Sequence, residues 1–256
     1  MELKLEFIKR LLTDTLFDEN IRNNYYDNNV FPEDEKILEI LDKPVDEKRI
    51  SGLDWPDRAH TMIGLKRLNN LHDSLDYVRE NNIDGDFIET GVWRGGASIF
   101  INYYNKFYNM NKKIFVADSF EGLPKPNIEL YPHDLGDTHH TVDYLKVSLE
   151  EVKLNFEKYG VLDENVIFLK GWFNETLKEN EEIQKLSILR FDGDMYGSTI
   201  DVLSNLYDKV NKDGVIIIDD YCLPNCVKAV SDFRSQNNIN DEIKVVDSCG
   251  VFWFKK

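Results

Sequence analysis

Two short runs dominated by apolar residues end in acid: Leu189-Arg190-Phe191-Asp192-Gly193-Asp194 and Gly214-Val215-Ile216-Ile217-Ile218-Asp219-Asp220. Continuous apolar runs of this length mark strands covered on both faces, as in parallel sheets flanked by helices. In open sheets of that kind, ligands bind just outside the carboxyl ends of the strands. Two neighbouring strands would therefore bring Asp192, Asp219 and Asp220 toward one point, where like charges repel unless a cation or a proton lies among them. A hard divalent ion such as Mg²⁺ suits an oxygen set of this kind. The plainer alternative is that Asp219 and Asp220 only end a strand and cap the next helix.

The rest of the chain supports the sheet. Candidate strands are Asp86–Thr90, Ile114–Asp118, Val166–Lys170, Ile188–Asp192, Val215–Asp219, Ile243–Asp247 and Val251–Phe254, with helical stretches between the first five. Ser248-Cys249-Gly250 is too short for a crossover, so the last two strands should pair as an antiparallel hairpin at the sheet edge. Five parallel strands, that hairpin and helices on both faces resemble the Rossmann-like, seven-stranded α/β sheet of class I methyltransferases. Dinucleotide-binding dehydrogenases classically carry six parallel strands instead. Upstream, Leu5, Ile8, Leu12 and Leu16 recur like one helical face, and Leu68, Leu71, Leu75 and Val78 mark a second helix. Residues 1–60 are expected to form a helical N-terminal lid or oligomerisation region, and 61–256 the main domain.

Charge narrows the partners. With 31 basic against 47 acidic residues, the net charge is −16 and the pI near 4.7. Such a surface repels phosphate backbones and anionic membranes, so a small-molecule partner is expected and neither nucleic acid nor membrane. The N-terminus mixes acids into its apolar residues, unlike a signal peptide, and no run is long enough to span a bilayer, so the expected location is cytoplasmic. In that setting Cys222, Cys226 and Cys249 are expected to be buried or reduced thiols.

Several positions carry possible chemistry. Glu89-Thr90-Gly91-Val92-Trp93-Arg94-Gly95-Gly96-Ala97-Ser98 follows the first strand and opens a helix, where backbone N–H groups meet a nucleotide-like cofactor and glycines permit close approach. Asp118 ends the second strand, placed either to bond ribose hydroxyls or to start a turn. Gly171-Trp172-Phe173 follows the third strand and offers aromatic faces to a purine or a sulfonium, or to the core. The loop from Glu121 to Val142 holds His133, His139 and His140, of which any could take a proton from a hydroxyl, although most loop histidines are solvated. Tyr196, Ser198 and Thr199 either cap the next helix or line the cleft.

Taken together, Thr61-Met62-Ile63-Gly64, Ile88 to Gly96, Val116-Ala117-Asp118-Ser119-Phe120-Glu121-Gly122-Leu123-Pro124, Gly171-Trp172-Phe173, Arg190 to Tyr196 and Ile218-Asp219-Asp220-Tyr221 resemble the macrocin-type sugar O-methyltransferases, the group of mycinamicin and novobiocin tailoring enzymes. The match is collinear over about residues 55–254, weakens before residue 50 and departs from the family pattern at Gly197. The resemblance implies an S-adenosylmethionine- and Mg²⁺-dependent O-methyltransferase of natural-product or surface-glycan type, acting on a sugar or glycoside hydroxyl as a homodimer or higher homo-oligomer. By matching position, Asp192, Asp219 and Asp220 would hold Mg²⁺. Met62, Glu89, Thr90, Gly91, Ser98, Asp118, Ser119, Gly171, Trp172, Phe173, Asp192 and Ser198 would surround the cofactor. Asp192 or His139 would accept the proton, with Asp192 favoured because it already stands at the metal. A catechol acceptor would chelate the ion equally well, and a nicotinamide-dependent dehydrogenase is a more distant alternative.

Overall fold

The computed structural model describes residues 2–178 and 180–256. Helices α1 (Glu2–Leu12), α2 (Glu19–Asn28), α3 (Asp34–Leu41), α4 (Glu47–Ser51) and α5 (Leu65–Glu80) precede an alternating unit. That unit runs β1 (Asp86–Thr90), α6 (Gly96–Phe107), β2 (Ile114–Asp118), α7 (Leu149–Lys158), β3 (Val166–Lys170), α8 (Phe173–Thr176), β4 (Leu186–Phe191), α9 (Tyr196–Leu206), β5 (Val210–Ile218), α10 (Pro224–Gln236), β6 (Lys244–Val245) and β7 (Val251–Phe254). Local chemistry sets several boundaries. Asp18 accepts from the N–H groups of Asn20 and Ile21 at the start of α2, Ser148 accepts from Glu151 at the start of α7, and Pro224 opens α10 where no intrahelical donor is needed.

The strands form one seven-stranded sheet in the order β3-β2-β1-β4-β5-β7-β6. The first five are parallel, and β7 joins β5 antiparallel with β6 outside it, the class I methyltransferase arrangement expected from the sequence. The β4 and β5 strands end at Phe191 and Ile218, one residue short of the expected acids, so Asp192 and Asp219 stand just beyond the sheet. The β5 strand also starts earlier than its apolar run. Its polar stretch Asn211-Lys212-Asp213 is absorbed by a register shift, with Leu186 opposite Val210 and Ile188 opposite Val215.

Alternate residues face opposite cores, as the two-residue period of a strand requires. Phe87, Val116 and Ile217 belong to one cluster and Ile88, Phe115 and Ile216 to the other. The first cluster also contains Leu5, Ile8, Leu12 and Leu16 from the N-terminal region, together with Leu68, Leu71 and Leu75 of α5. Each such fully buried side chain stabilises the fold by roughly 1.5–3 kcal/mol. The N-terminal helices are therefore layered onto the main domain through a shared core. Among the described residues no helix is long and apolar enough to cross a membrane.

The cysteines correct the expectation of unpaired thiols. Cys222 and Cys249 are joined as a disulfide with Cα atoms 4.4 Å apart, while Cys226 is free and buried. The hairpin turn makes this possible, because Asp247 accepts from the N–H groups of Cys249 (2.9 Å) and Gly250 (2.6 Å), and the Cys249 carbonyl accepts from Tyr221 N–H (2.9 Å). Two segments 27 residues apart are thereby held side by side. Removing the bond with a reductant or by Cys249→Ser is expected to cost on the order of 3 kcal/mol and to lower Tm by roughly 5–10 °C in scanning calorimetry. The Cys226→Ser variant should keep the reductant-dependent shift.

Candidate active site

A cavity of about 600 Å³ opens at the carboxyl ends of β1, β2, β4 and β5. Its floor is organised by Arg190, a fully buried cation inside β4. The guanidinium donates to Glu89 of β1 at 2.5 Å, lies 2.9 Å from Asp219 Oδ1 beyond β5, and reaches Asp192 Oδ2 at 3.4 Å. Taking a charge out of water is tolerable only with partners of this kind. Glu89 additionally accepts from Ser98, and burial pushes its pKa up against the pull of Arg190.

The acids above this floor do not group as expected. Oxygens of Asp192, Asp194 and Asp220 lie within 4.8 Å of one another. Asp219 instead turns to Arg190 and to Arg67, which also lies 3.2 Å from Asp247 and donates to the carbonyls of Ser51 and Gly52. Asp194 therefore stands with Asp192 and Asp220, while Asp219 stays on the cavity lining paired to the two arginines. Asp194 adopts a left-handed backbone (φ 55°), and its N–H donates to Asp220 Oδ2 at 3.0 Å, locking the group.

Crowding shows in the protonation of the three acids. Burial, with Asp192 and Asp137 nearby, pushes Asp194 up to about 8. Burial together with Asp194 and Asp219 does the same to Asp220, again about 8. Asp192 is raised well above the usual carboxylate range by burial and by the charges of Asp220 and Asp219. Its side chain nonetheless keeps 31% exposure toward the cavity, so an ion can reach it. Three convergent hard oxygens short of neutralising charge fit Mg²⁺.

The nucleotide-like side of the cavity is built from loops after β1, β2 and β3. Gly91 must be glycine, since φ is +80° and a Cβ there would lie 1.7 Å from the Asp192 carbonyl oxygen. Asp118 is held between two of these loops, accepting from Val92 N–H at 2.8 Å and Phe120 N–H at 2.7 Å, and burial raises its pKa despite those bonds. Gly171, Trp172 and Phe173 line the same wall, with Met62, Ser119 and Ser198. Two expected residues do not reach it. Thr90 and Ser98 are fully buried outside the lining, with Ser98 held by Glu89 and the Thr90 hydroxyl left without a partner.

The long loop supplies the opposite wall. Asp134, 1% exposed, accepts from Tyr196 N–H (2.7 Å) and Gly197 N–H (2.9 Å), pinning the loop to the first turn of α9. His139 lines the cavity with Nδ1 2.9 Å from Asp137, whereas His133 packs at a tilt against Tyr196 and neither His133 nor His140 joins the lining. At the mouth, Trp55 stacks on Tyr144 at 5.0 Å, and Tyr144 O–H donates to the Pro56 carbonyl. Leu53, Trp55 and Leu130 stay 61%, 53% and 63% exposed there, forming an apolar rim. Sequence patterns did not single out Arg67, Asp134, Asp137 or this rim. Only Arg190 had a visible signal, a lone cation inside an apolar strand.

Residues 1–255 match the family described as macrocin-O-methyltransferase (TylF). The chain is 45% identical over 178 residues to the mycinamicin III 3''-O-methyltransferase of Micromonospora griseorubida, covering 68% of this chain and 69% of that protein. It is 42% identical over 187 residues to the 8-demethyl-8-(2,3-dimethoxy-alpha-L-rhamnosyl)-tetracenomycin-C 4'-O-methyltransferase of Streptomyces olivaceus, covering 71% of each. The solved structure of the O-methyltransferase NovP superposes with a TM-score of 0.86 at 39% identity, covering 100% of this chain and 99% of that one.

Asp194 and Asp220 keep their protons to about 8 in the folded chain, against about 3.9 for an unfolded aspartate. The stability tied to that protonation is complete below about pH 4 and is lost as pH rises through about 8. Protein in EDTA should therefore melt at falling temperature between about pH 6 and 8.5, and Asp220→Asn should flatten that slope. Mg²⁺ should bind more tightly as pH rises across the same window and expel protons, measured by calorimetry in buffers of different ionisation enthalpy.

Proposed function

This chain belongs to the macrocin-O-methyltransferase family, and we propose that it moves a methyl group from S-adenosylmethionine to a hydroxyl of a sugar or glycoside in a Mg²⁺-dependent reaction. The observation that carries the proposal is the acid cluster of Asp192, Asp194 and Asp220 opening into the same cavity as the Gly91 turn and Asp118. An alkyl hydroxyl is a poor nucleophile at neutral pH, whereas a sulfonium methyl is already activated. The protein's task is to aim the oxygen and remove its proton. Held by Asp192, Asp194 and Asp220, Mg²⁺ would supply Lewis acidity that lowers the pKa of an acceptor hydroxyl.

The chain's own groups do the rest. Asp118 would hold the cofactor ribose, and Trp172 and Phe173 would offer aromatic faces to its purine and sulfonium. Asp192 is the favoured proton acceptor, and His139 stands on the opposite wall with Asp137 at Nδ1, leaving Nε2 as the other acceptor. Arg190 keeps Asp192 and Asp219 oriented toward the cavity floor. Bringing acceptor oxygen and methyl into line is where most of the acceleration arises.

The acceptor side favours an uncharged glycoside. Acids outnumber cations along the wall, and Arg67 and Arg190 are both committed to ion pairs, so a phosphorylated acceptor would meet net repulsion. The rim of Leu53, Trp55 and Leu130 offers an apolar seat to an aglycone, the setting in which antibiotic tailoring would operate. Residues 1–60 contribute Leu53 and Trp55 to that rim, which supports their role as a lid. Exposed Phe17 and Leu38 on the same region support assembly into a homo-oligomer.

Asp192→Asn and Asp220→Asn should each lower methyl transfer more than about 100-fold while leaving S-adenosylhomocysteine binding within about twofold by calorimetry. Sugar and catechol acceptors assayed side by side identify the acceptor class. Full activity of the parent protein and both variants in EDTA would rule the scheme out.

A further inference from the structure

We propose that Tyr131, laid across Gly197, is a specificity-determining residue that selects a sugar acceptor by presenting an aromatic face beside the acid cluster. The inference rests on the methyl-transfer function proposed above and adds to it the side chain that reads the acceptor. Three independent contacts fix this ring. A Cβ at position 197 would lie 2.5 Å from Tyr131 Cδ2 and 2.9 Å from Cε2, so the ring packs directly against the helix backbone where glycine leaves room. The phenol O–H donates to Asp201 Oδ1 at 2.9 Å, one helical turn beyond Gly197 and on the same face of α9. Its main chain is tied on both sides, by Tyr131 N–H to the Asn127 carbonyl (2.7 Å) and Asp134 N–H to the Tyr131 carbonyl (3.0 Å). The Asp134 carboxylate then clamps the loop to α9, as described above.

What this fixed ring faces gives it a role. Tyr131, Gly197 and Asp201 all line the cavity, and α9 starts two residues after Asp194. The ring is only partly covered, with the Tyr196 ring 6.0 Å away, so part of it stays open to a ligand. A rigid aromatic plane matches the apolar C–H face of a pyranose, and the neighbouring Asp201 accepts from a ring hydroxyl. Such a wall orients a sugar with its diol toward the acids, and the hydrogen bond to Asp201 is the part of the device that a planar catechol stacked on the ring would leave unused. A methyl group at position 197 would push the ring into this compartment, so Gly197 is part of the same device.

The test uses the full-length protein with S-adenosylmethionine and Mg²⁺ and a panel of p-nitrophenyl glycosides of hexoses and 6-deoxyhexoses, with a catechol as comparison. Tyr131→Leu, which keeps bulk but removes the flat face, and Gly197→Ala should each raise the sugar KM by about tenfold with kcat within about threefold. Their S-adenosylhomocysteine affinity should stay within about twofold of the parent by calorimetry. Tyr131→Phe should keep most of the affinity but relax the ranking among glycosides. The double variant Gly197→Ala/Tyr131→Leu should be no worse than Tyr131→Leu alone. Unchanged KM and ranking in Tyr131→Leu, with sugar transfer by the parent intact, would overturn this inference and leave the proposed function standing. Failure of the parent to methylate any sugar overturns the sugar reading itself, and with it the role given to Tyr131.

Discussion

The buried guanidinium of Arg190 is the interaction on which the site depends. It ties Glu89 on β1, Asp192 beyond β4 and Asp219 beyond β5 through one cation. Three neighbouring strand ends therefore carry negative charge without flying apart. Because Arg190 answers Glu89 and Asp219 most closely, the cluster above it is left short of positive charge. That deficit arises from placing one cation inside a strand rather than from any special ligand geometry.

Much of the architecture was legible because its signals are local. Continuous apolar runs located β1, β2, β3 and β7 to the residue, and the short Ser248-Cys249-Gly250 link forced the hairpin. The early start of β5 was hidden, since Asn211-Lys212-Asp213 is polar and only the bulge opposite β4 explains its inclusion. The site was partly legible for the same reason. Strand-end position marked Asp192, Asp219 and Asp220, but sequence adjacency suggested that the last two act together, whereas Asp219 turns to two arginines and Asp220 to the cluster.

What sequence could not show was everything built by segments meeting from afar. Arg67 reaches Asp219 from α5, 152 positions away, and Tyr131 reaches Asp201 across 70. The pairing of Cys222 with Cys249 belongs to this class too, since it exists only once the hairpin has folded back beside the turn after β5. No local pattern encodes such contacts. They follow from topology, which brings the loops at the carboxyl ends of the strands into a common rim.

The distribution of indole rings has an optical consequence. Of four tryptophans, Trp55, Trp93 and Trp172 line the cavity, and only Trp253 is sealed in the core. The intrinsic emission of this molecule is accordingly weighted toward the one region where ligands arrive. Quenching or a spectral shift reports occupancy without a label, and the stacked Trp55 makes the rim itself a fluorophore.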